Sequence, residues 1–81
     1  MTFDEIIKTA NEYADMAIRD REEFLDAYDN DVKNTERTAA EWYAIGALLD
    51  PYIRCKTGEL DRNVALLIQR NVKESFGKGV L

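Results

Sequence analysis

Apolar side chains recur at steps of three and four from the first residues onward. Phe3, Ile7, Ala10, Ala14, Ala17, Phe24 and Tyr28 fall on one stripe with Arg21 as its charged member, and Ile6, Tyr13, Ile18 and Leu25 widen it. This is the α-helical period, and no Gly or Pro interrupts it. It predicts a single long helix over residues 3–29. Thr2 followed by Glu5 has the spacing of a capping box, and Asp4 and Glu5 complement the helix dipole. At about 1.5 Å per residue such a helix spans roughly 40 Å, more than a small domain needs.

The stripe stops at Asp29-Asn30-Asp31-Val32-Lys33-Asn34, where residues that favour turns and caps cluster. Asp31 or Asn34 is placed to cap a second helix, predicted from about Thr35 to Leu49. Between Thr38 and Leu49 only Glu41 is charged. Ala39, Ala40, Ala44, Gly46 and Ala47 permit close crossing, and Trp42, Ile45, Leu48 and Leu49 supply bulk. Asp50-Pro51 predicts a break or sharp kink, with Pro51 to Lys56 either a separate short helix or a bent continuation. Gly58 is the expected cap of that segment. Asp61 then caps a last helix over Arg62 to Phe76, with Val64, Leu67, Ile68, Val72 and Phe76 as its apolar stripe. Gly77 is expected to stop it, leaving Lys78 to Leu81 as a tail. The expected fold is therefore all-α: one domain over residues 1–81, a small bundle of three or four helices with one long N-terminal helix.

Composition narrows the chemistry. The chain has 81 residues, one cysteine and no histidine. The missing imidazole removes the commonest general base and metal ligand, so no catalytic, metal or cofactor residue is expected, and the protein reads as a non-enzyme. Asp29 and Asp31 match the first ligand positions of a calcium loop. However, Lys33, Asn34 and Ala40 stand where an oxygen ligand, a Gly and a Glu are required. Cys55 has no second Cys beside it and reads as an apolar filler. The start of the chain lacks a signal-peptide pattern and no apolar run is long enough to span a bilayer, so a soluble cytoplasmic protein is expected.

Charge changes the picture more. Residues 1–31 hold ten acids against three bases, a balance of −7, whereas residues 32–81 hold six acids against eight bases, a balance of +2. An acidic surface repels nucleic acid and anionic membranes, so neither is an expected partner. Asp26, Asp29 and Asp31 lie near a helix C-terminus, where negative charge is unfavourable, and Glu22 and Asp26 are like charges four residues apart. A basic partner surface would account for them. The expected partner-binding carboxylates are Asp15, Glu22, Asp26, Asp29 and Asp31.

The second helix is apolar nearly all round, and two other helices cannot surround it. A second copy of the chain is the simplest cover, which predicts a homodimer. The expected interface residues are Arg21, Glu41, Trp42, Ile45, Gly46 and Leu49. Arg21 is included because it sits inside an apolar stripe, with Glu41 or Asp50 as its candidate ion-pair partner. Trp42, Tyr43 and Tyr52 fit a core first and an interface second. The function these features point to is a small acidic interaction module, an adaptor or regulator binding a protein partner or itself. The alternative is an acidic mimic of nucleic acid, anti-CRISPR-like in size and charge as in phages and mobile elements. It would occupy a basic channel with Asp15, Glu22, Asp26 and Asp29 standing in for phosphates.

Overall fold

The Thr2 hydroxyl accepts the Glu5 amide at 3.2 Å while the Glu5 carboxylate accepts the Thr2 amide at 2.8 Å. This reciprocal box starts α1, Phe3–Arg19. The computed structural model describes residues 1–79 and adds α2 (Arg21–Asn34), α3 (Ala39–Lys56) and α4 (Arg62–Lys78). The described residues are helical apart from short connections and contain no strand.

The single long N-terminal helix does not form. Asp20 takes an extended conformation, φ −158° and ψ 106°, and its carboxylate accepts the Glu22 and Glu23 amides at 3.1 and 3.2 Å. A short carboxylate that can satisfy two helix-start amides favours a cap over a helix interior. The apolar stripe runs across the break, which hides it. Arg21 follows directly and is exposed. The ion pair expected of it within the chain is absent, because Glu41 pairs with the Met1 amine and Asp50 lies beside Arg54.

Three further boundaries differ from expectation. α3 starts at Ala39, not Thr35, because Thr38 and Glu41 form a second capping box. Asp31 and Asn34 lie inside α2 and cap nothing. Pro51 neither breaks α3 nor starts a new helix. It removes one amide, the partner of the Ala47 carbonyl, and leaves the turns on either side intact. The fourth helix of the fold thus comes from the step at Asp20. Beyond α3, Gly58 has φ +82°, and its amide reaches Cys55 O while that of Glu59 reaches Arg54 O. This is a Schellman closure, which needs a residue tolerant of positive φ. Asp61 caps α4 as expected, but the helix continues through Gly77 to Lys78 and ends on Gly79 at φ +70°. Of the expected tail, residues 80 and 81 lie outside the described residues.

α1 packs against α2 and α3, and α3 packs against α4. The core is Ile6, Ala10, Tyr13 and Ala14 from α1 with Ala44, Ile45, Leu48 and Tyr52 from α3. Ile6, Ile45 and Leu48 are wholly buried, each worth about 1.5–3 kcal/mol. Phe3 meets Phe76 across α1 and α4 at 6.0 Å between ring centroids. The molecule measures 33 × 32 × 15 Å. With helix axes about 8–10 Å apart, that thickness holds at most two helices, so every helix keeps a side towards solvent. The accessible surface, 5421 Å², exceeds the roughly 5,000 Å² typical of a compact chain of 9.3 kDa. No helix among the described residues is long and apolar enough to cross a membrane.

Candidate interaction surface

No residue of α2 is fully buried, and its contact with the core is made by the half-buried Phe24 and Tyr28. Phe24 and Tyr28 face inward, and the Tyr28 ring meets Tyr13 and Trp42 edge-on, both at 5.3 Å. The Tyr13 hydroxyl donates to Asp31 Oδ2 at 2.5 Å and accepts from Arg37 Nη1 at 3.1 Å. The Arg37 guanidinium lies 4.7 Å above the Trp42 ring. α1, α2, the connection to α3 and α3 itself thus meet at one aromatic and ionic junction. Burial, and then the bond to Asp31, push the Tyr13 pKa up to about 12.

This junction sorts the expected acidic residues. Asp31 is half-buried and serves the fold through Tyr13. Asp15 is exposed and pairs with Lys56 at 3.0 Å, tying α1 to α3. Asp29 is exposed and pairs with Lys33 on its own helix at 3.0 Å. Glu22 and Asp26 are exposed, with no side-chain partner among the described residues. Glu22, Asp26 and Asp29 follow the i, i+4, i+7 spacing of one helix side. Leu25 and Val32 border them at 49% and 48% exposure.

The six interface candidates are scattered by the fold. Ile45 is wholly buried in the chain's own core. Glu41 is also buried, and its carboxylate takes the Met1 amine and the Thr38 amide. The bond to the amine holds the Glu41 carboxyl below the usual range, and the same bond raises the amine. Trp42 and Leu49 pack half-buried against the core. Arg21 and Gly46 are exposed, Gly46 beside Tyr43 and Ala39 on the solvent side of α3. The helix read as apolar all round therefore has one covered face, Glu41, Ala44, Ile45, Leu48 and Tyr52, and one open face.

α4 exposes a further apolar surface that its predicted core stripe does not anticipate. α4 buries only Ala65. Val64, Leu66 and Leu67 are 42%, 47% and 59% exposed. Arg62 and Arg70 lie four residues either side of Leu66, and neither has an ion-pair partner among the described residues. The apolar positions of α4 exceed what one packed face needs, and Leu67, a member of the predicted core stripe, is the most exposed of the three.

Between α3 and α4 lies a pocket of about 250 Å³ lined in part by Cys55, Lys56, Arg62, Leu66 and Gln69, smaller than most ligand sites. Arg62 and Leu66 thus stand on the flank of α4 nearer α3, while Leu67 points away from it. Tyr52 closes one wall by donating to Gln69 at 2.5 Å, and burial pushes its pKa up to about 12. The cations flanking Cys55 face carboxylates, Lys56 towards Asp15 and Arg54 towards Asp50 and Glu59. Among the described residues no group of three or more Cys, Asp or Glu is placed to hold a metal. Comparison with protein-family models, curated proteins and solved structures finds no match to the chain.

Proposed function

We propose that the protein is a small helical interaction module that acts by docking its outer helices, α2 and α4, against another protein surface. The observation that carries this is α2 itself. None of its residues is fully buried, and Phe24, Tyr28 and the Tyr13–Asp31–Arg37 junction hold one side of it against α1 and α3. A helix fixed in place with Leu25 and Val32 outward presents a surface. Exposed apolar residues on both outer helices, each beside a row of one charge, are the composition of a docking face.

Nucleic-acid mimicry has less support. It asks for a row of unneutralised carboxylates, and two of its four, Asp15 and Asp29, already face lysines. Asp31 is turned inward.

A photo-crosslinking side chain at position 25 or 67 tests the reading in extracts of the cells that encode the chain. The expected result is one discrete adduct, with another polypeptide or a second copy, competed away by excess unlabelled protein. Absence of a competable adduct at both positions overturns it.

A further inference from the structure

We infer that the surface docked onto α2 and α4 is a second copy of this chain, with α2 of each protomer lying along α4 of its partner. This rests on the interaction reading above and names its partner. α2 carries Glu22, Glu23, Asp26, Asp29 and Asp31 against Arg21 and Lys33, a net charge of −3. α4 carries Arg62, Arg70, Lys73 and Lys78 against Glu74, a net charge of +3. Both expose apolar side chains next to these charges, Leu25 and Val32 on α2, Leu66 and Leu67 on α4. Glu22 and Asp26, the two carboxylates of this side without a partner among the described residues, lie about 6 Å apart along α2, and Arg62 and Arg70 lie about 12 Å apart along α4.

The match cannot be satisfied inside one chain, because α2 and α4 are not a packed pair. Every copy carries both faces. A two-fold axis then forms two equivalent contacts and leaves neither face over, closing the assembly at two. A standard interface covers about 800 Å² per partner, roughly a seventh of the 5421 Å² surface of this chain. The charges select the partner and steer its approach, while the leucines supply the buried centre.

Sedimentation velocity on the purified chain and two charge-reversed variants tests this, with circular dichroism as a check on folding. One variant carries Glu22→Lys and Asp26→Lys, the other Arg62→Glu and Arg70→Glu. The wild type is expected to be a dimer that weakens as salt rises. Each variant alone is expected to self-associate at least ten-fold more weakly. An equimolar mixture is expected to recover the dimer, since reversed α2 then meets reversed α4 and native α2 meets native α4. Recovery on mixing cannot arise from damage to folding. A wild type that stays monomeric at high micromolar concentration overturns the self-docking proposal, while competable crosslinking to a different polypeptide would leave the interaction reading standing. A dimer indifferent to both reversals, a mixture that stays monomeric, or open-ended polymers each overturn the reciprocal α2–α4 pairing.

Discussion

The Tyr13 hydroxyl donates to the Asp31 carboxylate at 2.5 Å, joining residues 18 positions apart on α1 and α2. No residue of α2 is fully buried, so this bond and its Arg37 donor add to the half-buried Phe24 and Tyr28 in positioning the helix. Tyr13→Phe leaves a half-buried carboxylate without its donor. Hydrogen bonds to charged groups contribute about 1.5–3 kcal/mol, and a loss of that order is expected in urea unfolding. Hydrogen exchange is expected to accelerate in α2 more than in α3, which would separate loss of the junction from a general weakening.

The same hydroxyl makes stability fall at alkaline pH. The folded pKa values of Tyr13 and Tyr52 are each raised to about 12 from an ordinary value of 10.0. Above pH 10 the unfolded chain loses these protons while the folded chain keeps them, so the unfolded state gains. The stabilisation is complete below pH 10 and is lost as pH rises towards 12. Denaturant midpoints across this range are expected to decline, less steeply in Tyr52→Phe. A flat profile would mean that the two hydroxyls titrate alike in both states.

Asp20→Ala removes the cap of α2 and leaves the Glu22 and Glu23 amides without their acceptor. Loss of such a cap costs about 0.5–2 kcal/mol. Carbon chemical shifts at residues 19–22 are expected to become helical, because alanine favours continuation where aspartate favours the cap. Persistence of the extended signature at position 20 would show that packing, not the cap, sets the break.

Pro51→Ala is expected to stabilise the chain by about 1–3 kcal/mol. It restores the amide that Ala47 lacks within a continuous α3. A destabilised variant would mean that the proline ring packs where alanine cannot.

The limits of sequence reading fall on the same residues. The helical period is legible because it depends on local spacing, and the caps Thr2, Asp61 and Gly58 are legible for the same reason. Asp20 was hidden because the apolar stripe keeps its phase across it, although Asp20 with Glu23 carries the same spacing signal as Thr2 with Glu5. Pro51 misled because its local cost is real but smaller than the packing of Leu48 and Tyr52 on either side. Which acids are free to meet a partner was not legible at all. It depends on Tyr13 reaching Asp31 and Lys56 reaching Asp15, contacts set by the tertiary fold. The surplus of apolar positions on α4 is legible, but that Ala65 is buried while Leu67 is left open depends on how the helix packs.

The central claim, that the outer helices exist to dock and that they dock on each other, is tested most directly by the mass of the purified chain in solution. Multi-angle light scattering at low ionic strength and high micromolar concentration should give twice the 9.3 kDa of the chain, falling towards the monomer as salt is added. A mass of 9.3 kDa at every concentration and salt would contradict the self-docking account.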